Sequence, residues 1–160
     1  MEIKTPRYGY TVQLEDPSKQ VLVSARNVRA SYRKSVELMD AIRGKRVKDV
    51  QAILEGVVNL ERPIHYTKHR KHVPHHAGLR GPRGAEGGYP VNAAKQLQKL
   101  LDNALAVADS KGLDEDHLFV FHSAVLLGTK VRRFFARARG QHDLKTRQLV
   151  HLELGLKEVS

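Results

Sequence analysis

The chain contains no cysteine, which excludes a disulfide framework, a thiolate zinc site and a thiol nucleophile. No stretch approaches the roughly 18 apolar residues of a membrane-spanning helix, and the opening Met1-Glu2-Ile3-Lys4-Thr5-Pro6-Arg7 lacks the apolar core of a secretion signal. Acidic residues are scarce beside basic ones, 17 against 28, which leaves a formal charge of +11. No phosphate loop, facing carboxylate pair or nucleophile–base spacing occurs, so the sequence offers neither an enzyme's machinery nor a cofactor site. These shortages point to a cytoplasmic protein without a membrane partner. Its expected ligand is a polyanion, because phosphate neutralisation and counterion release reward clustered lysine and arginine.

What is present suffices for a core, since 41% of 160 residues are hydrophobic, and one domain over residues 1–160 is expected. Val21, Val23 and Ala25 mark a strand. Ser31 is a candidate N-cap for a helix whose face is Val36, Met39, Ala41 and Ile42, ending at Arg43-Gly44. Val47, Val50, Leu54, Val57 and Val58 recur at helical spacing, as do Leu97, Leu100, Leu101, Ala104, Leu105 and Ala108, with Gly112 as C-cap of this third and longest helix. Leu118 to Leu127 reads as a strand, and Val150, Leu152, Leu154 and Leu156 alternate at strand period. The pattern predicts an α+β fold: a small three-stranded antiparallel sheet with three helices on one face. To it are added a long extended β-hairpin over 127–147 and a basic loop insert over 61–90.

Charge avoids the expected core and gathers in these two extensions. Between residues 127 and 147, Lys130, Arg132, Arg133, Arg137, Arg139, Lys145 and Arg147 face only Asp143. Arginine suits RNA because its planar fork bonds phosphate and stacks on bases, and Phe134 and Phe135 beside it are candidates for stacking or for packing on sugar surface. The competing reading puts both rings in the core. The insert holds four prolines and five histidines together with Lys68, Arg70, Lys71, Arg80 and Arg83, and no core face can be drawn through it. Neither extension has a hydrophobic face of its own, so both are expected to gain order on RNA. Gly78, Gly81, Gly84 and Gly87 recur every third residue and read as backbone able to approach RNA closely. His65, His69, His72 and His76 would line one face of a helix and raise the thought of zinc, but Pro63 and Pro74 interrupt any such helix and no carboxylate cluster completes a ligand set. Arg26, Arg29, Arg33 and Lys34 cluster where strand meets helix, near a helix N-terminus that favours phosphate, and Lys45 sits at the next junction. Asp114-Glu115-Asp116 reads as a solvated turn.

Several segments, in this order, carry a family resemblance: Ala25-Arg26-Asn27-Val28-Arg29-Ala30-Ser31, Ala41-Ile42-Arg43-Gly44-Lys45, Tyr89-Pro90-Val91-Asn92-Ala93-Ala94-Lys95, and Gly128 through Gly140. From Val21 to Leu156 the chain resembles the universal large-subunit ribosomal protein twenty-two, in its archaeal and eukaryotic form. It departs at Ala136, where that family usually has proline. The resemblance implies a structural constituent of the cytoplasmic large subunit that binds its ribosomal RNA and supports assembly. It also implies neighbouring ribosomal proteins near the tunnel exit and a hairpin that lines the path of the nascent peptide. Two other readings stand beside it: a metal-dependent RNA-processing enzyme using the histidines, and a free nucleic-acid-binding protein.

Overall fold

A computed structural model describes residues 9–79 and 84–159. In chain order it contains β1 (Gln20–Val28), α1 (Tyr32–Ile42), α2 (Val47–Val58), β2 (Ile64–His65), β3 (Gly87–Gly88), α3 (Val91–Ser110), β4 (Leu118–Ala136) and β5 (His142–Glu158). The main sheet has the order β1-β5-β4 and is antiparallel throughout. This is the expected α+β architecture. The hairpin is the outward continuation of β4 and β5, and the insert forms a small ribbon of its own, with Ile64 opposite Gly88 and His65 opposite Gly87.

The core lies between one face of the sheet and the helices. On the central strand Val150, Leu152, Leu154 and Leu156 are buried together with Leu97, Leu101 and Ala104 of α3 and Val50, Leu54 and Val57 of α2, each large side chain contributing about 1.5–3 kcal/mol by leaving water. On α1 the buried set is Ser35, Glu37, Leu38, Met39 and Ile42. Val36 and Ala41, expected on that face, are half-buried. A glutamate inside the core stripe makes the helix read as if it were turned.

Helix ends follow their backbone chemistry. After α3, Gly112 turns left-handed (φ 71°), and its N–H and that of Leu113 close on the carbonyls of Asp109 and Ala108, which satisfies otherwise orphaned acceptors. After α2 the same arrangement is made by Leu60 (φ 64°), a residue 58% exposed that gives up little packing. Leu60→Gly is therefore expected to stabilise the protein by about 0.5 kcal/mol, because roughly 1–2 kcal/mol of left-handed strain outweighs a glycine chain-entropy cost of roughly 0.5–1 kcal/mol. A higher urea midpoint checks it.

The Arg43-Gly44-Lys45 junction covers the outer edge of β4. The Gly44 N–H donates to the Val120 carbonyl at 2.8 Å, and the Val120 N–H returns a bond to the Lys45 carbonyl at 3.0 Å. The Arg43 guanidinium reaches the Ser123 carbonyl at 2.6 Å and its Oγ at 3.1 Å. An open edge is a template for unwanted strand pairing, and this junction occupies it.

The opposite face of β5 carries Glu153, which is fully buried. The Thr11 N–H and hydroxyl donate to its Oε2 at 3.1 and 2.7 Å, Arg26 lies 3.5 Å from Oε1, and His122 is 3.7 Å from Oε2. Burial opposes ionisation, but the two Thr11 bonds, Arg26 and His122 outweigh it and hold the carboxyl below the usual glutamate range. A depressed folded value means that the stabilisation is complete above about pH 4.3, the ordinary glutamate value, and is lost as pH falls through the folded value. In urea titrations the wild type should lose more stability between pH 5 and about pH 3 than Glu153→Gln does; parallel curves would show that Glu153 contributes nothing to acid sensitivity.

Candidate nucleic-acid interface

Beyond the core the two long strands keep a regular ladder, from Lys130 opposite Gln148 to Ala136 opposite His142. Directly opposed residues share a face, so the hairpin is two-sided. One side holds Val131, Arg133 and Phe135 with Arg147, Lys145 and Asp143; the other holds Lys130, Arg132, Phe134 and Ala136 with Gln148, Thr146, Leu144 and His142. Phe134 and Phe135 are 68% and 50% exposed, which removes them from the core. The Lys145 ammonium lies 5.2 Å from the centre of the Phe135 ring, and Phe134 meets His142 edge to face at 5.5 Å. At the tip Arg137 is clamped to Asp143 by Nε and Nη2 at 2.7 and 2.6 Å, and Arg139 is left-handed (φ 61°).

The hairpin leaves the domain at two ladder irregularities, one in β1 between Ala25 and Val28 and one in β4 between Leu127 and Lys130. Asn27 (φ 53°) sits in the first. Its N–H donates to His151 Nδ1 at 2.9 Å, and its Oδ1 accepts from the Thr129 N–H at 3.1 Å. From β5 the Gln148 amide donates to the Gly128 carbonyl at 2.6 Å. A Cβ on Gly128 would come within 2.8 Å of Asn27 Oδ1, so only glycine lets the two bulges lock together.

Between the hairpin and the domain lies a cleft of about 460 Å³ lined by Arg29, Ala30, Ser31, Asn92, Arg133, Phe135, Lys145, Thr146, Arg147 and Gln148. Among the described residues it contains four cations and no carboxylate. A neighbouring hollow continues past Ser31 and Asn92 to Lys34 and Tyr89. Two helices begin here, α1 after Ser31 and α3 after Pro90, and neither has a side-chain cap bond or an acidic residue in its first turn. Among the described residues the first N–H groups of α1 are left for an anion, as are the positive ends of both dipoles, while the Val91 N–H that opens α3 already donates to the Tyr89 carbonyl at 2.9 Å. Ser31 thus holds the N-cap position without capping.

The remaining candidates fall into separate groups. Arg26 is drawn toward Glu153 and is 29% exposed. In the insert Lys68 pairs with Asp40 and Arg70 with Glu86 at 3.1 Å, while Lys71 is exposed. Lys45 borders a hollow on another side, with Arg62, His65 and Leu79. Arg80 and Arg83, like Gly81, lie outside the described residues. Among the described residues, Arg29, Arg33, Lys34, Lys45, Lys71, Lys130, Arg132, Arg133, Arg139, Lys145 and Arg147 make no ion pair.

The insert departs from expectation. Ile64, Tyr66 and Leu79 are each 5% exposed, so it owns a core contact. Gly87 is internal: a Cβ there would overlap Leu79 and the Ile64 carbonyl, which gives that glycine a packing reason instead of an RNA-facing one. No helix forms between residues 65 and 76, so the four spaced histidines do not share a face, and among the described residues no group of three or more His, Asp or Glu is placed to hold a metal. Asp114 accepts from His117 at 2.8 Å and from the Asp116 N–H at 3.1 Å, bonds that lower its carboxyl below the usual range, while Asp116 pairs with Lys48. These acids belong to an exposed turn. Sequence reasoning missed Asn27, Asn92, Thr146 and Gln148, uncharged residues whose only signal is position beside arginines.

The sequence matches the family model for Ribosomal protein L22p/L17e over residues 23–157. It is 36% identical over 154 residues to the large ribosomal subunit protein uL22 of Thermofilum pendens, covering 96% of this chain and 99% of that protein. With the protein of the same name from Archaeoglobus fulgidus it shares 34% identity over 148 residues, 92% of this chain and 94% of that one, and with that of Nitrosopumilus maritimus 33% over 153 residues, 96% and 99%. The match runs from β1 through the hairpin to the end of β5, and the chain belongs to the Ribosomal protein L22p/L17e family.

Proposed function

We propose that this protein is a structural, non-catalytic constituent of the cytoplasmic large ribosomal subunit that binds large-subunit ribosomal RNA, with its hairpin passing between RNA segments. The observation that carries this reading is the cleft, free of carboxylates among the described residues, where Arg29, Arg133, Lys145 and Arg147 converge with two helix N-termini that have no side-chain cap. Phosphates entering it meet guanidinium forks, an ammonium and backbone N–H groups at once. Phe135 beside them offers a stacking surface for a splayed base. Arg132, Lys130, Arg139, Arg33, Lys34, Lys45 and the insert cations Lys68, Arg70, Lys71, Arg80 and Arg83 extend the contact, with Arg137 joining through its face away from Asp143. Arg26 contributes from the margin, since Glu153 shares its charge. The opposite, less charged side at the tip, Phe134, Ala136 and Leu144, suits the tunnel wall along which a nascent peptide passes. Binding to RNA by one surface and to neighbouring ribosomal proteins near the exit by the domain gives the protein its role in assembly.

The test is crosslinking in ribosomal particles sedimented after a high-salt wash, with the nucleotide-bearing peptides mapped. Adducts between Lys130 and Gly140 on large-subunit RNA are expected. Absence of the protein from washed particles would reject the reading.

A further inference from the structure

Glu37 lies on the inward side of α1 and is 1% exposed, yet among the described residues it makes no ion pair. Its charge is met by the insert. Oε2 accepts from the Thr67 N–H at 2.7 Å and the Thr67 hydroxyl at 3.2 Å; Oε1 accepts from the N–H groups of Lys68 at 2.9 Å and His69 at 2.7 Å. Three consecutive backbone N–H groups converging on one anion form a nest of the kind that elsewhere cradles phosphate. Here the chain fills it with its own carboxylate. A buried carboxylate is costly without such bonds, so Glu37 and the 67–69 backbone each need the other.

The surroundings reinforce the lock. Asp40, one turn further along α1, holds the Lys68 ammonium, the Tyr32 ring lies against His69 at 6.3 Å, and Arg70 is tied to Glu86 across the ribbon. The Tyr66 side chain next door is buried, and its hydroxyl is pushed up first by burial and then by the charge of Glu37. Lys71 follows directly, exposed and without an ion pair.

We infer that Glu37 is a positioning residue for RNA binding: by filling the backbone nest at Thr67–His69 it fixes the segment as a preformed platform that presents Lys68, Arg70 and Lys71 to phosphate. The inference rests on the reading that these cations contact RNA. Phosphate is then met by side chains alone, because the backbone donors are already taken. Ordering the segment before binding removes an entropic cost that a free loop would meet on the RNA.

The experiment uses the full chain and protein-free large-subunit ribosomal RNA. In the free wild type, the amides of Thr67, Lys68 and His69 should exchange with deuterium at least about tenfold more slowly than those of Lys71 and His72. Glu37→Gln should abolish that difference while the Val150–Leu156 amides stay protected, and should weaken RNA binding about fivefold. Glu37→Ala should regain slow exchange and affinity in formate, and not in chloride of equal ionic strength, because a small carboxylate re-enters the nest. A merely space-filling Glu37 would not respond to formate. Fast exchange at 67–69 in the wild type overturns the inference without any variant, as does Glu37→Gln with unchanged exchange. If the lock is present but replacing Lys68, Arg70 and Lys71 with alanine leaves affinity unchanged, the RNA reading of this segment is what fails.

Discussion

Replacing Arg133, Lys145 and Arg147 together with alanine is expected to weaken binding to large-subunit ribosomal RNA about 10²- to 10³-fold, since three charge-assisted bonds to phosphate at roughly 1–1.5 kcal/mol each are removed. The dependence of log affinity on log salt should flatten by about 2–3 units, at slightly under one for each phosphate that is no longer neutralised. Folding stability should move in the other direction or not at all. Arg133 and Lys145 are directly opposed across the ladder, an arrangement of like charges that costs stability in the absence of a polyanion. Filter binding across a salt series, paired with urea unfolding of the same variant, separates the two. Loss of binding with an unshifted salt slope would mean that these residues act on the fold and not on phosphate.

Leu154→Ala is the most damaging single change expected in the domain. Leu154 sits in the middle of the central strand, paired with Val23 of β1 on one side and Ser123 of β4 on the other, and it is fully buried. Deleting its side chain opens a cavity in the core between the sheet and the helices, at a cost of about 3–5 kcal/mol, or about 10 °C in melting temperature for a protein of this size. Phe134→Ala, although it removes a larger side chain, should shift the melting temperature by no more than about 2 °C because that ring is already mostly in water. Calorimetry of the two variants side by side checks the contrast. Equal losses would place Phe134 in a folded contact that its exposure denies.

Most of the architecture could be read from periodicity. The Val150–Leu156 alternation marked the central strand, the leucines and alanines of α3 marked the long helix, and a basic run between two strand-like stretches marked the hairpin. What escaped was whatever lacks a period. Gly87-Gly88 forms a strand with no side chains to signal it. Ile64, Tyr66 and Leu79 reach the core from a segment dominated by proline, glycine and histidine, too far apart to make a stripe. Glu37 was invisible as a core residue because its partners are backbone N–H groups, which every residue but proline carries. The arginines of the interface were legible as a class, but their convergence was not: Arg29 and Asn92 meet Arg133 and Lys145 only because the start of α3 returns beside the start of α1, under the projecting strands.

The two interlocked bulges at the root of the hairpin have a mechanical consequence. From Gly128 to the tip at Arg137 the arm runs about ten residues, or about 33 Å at strand rise, and every residue from Arg132 to Arg147 is exposed. It is a cantilever, and each degree of rotation at the fulcrum sweeps the tip through about 0.6 Å over that length. Positional accuracy at the far end is therefore decided by the Asn27, Gln148 and His151 hydrogen bonds at the near end. A side chain that never approaches the tip, Asn27, sets where Phe134 and Arg139 arrive.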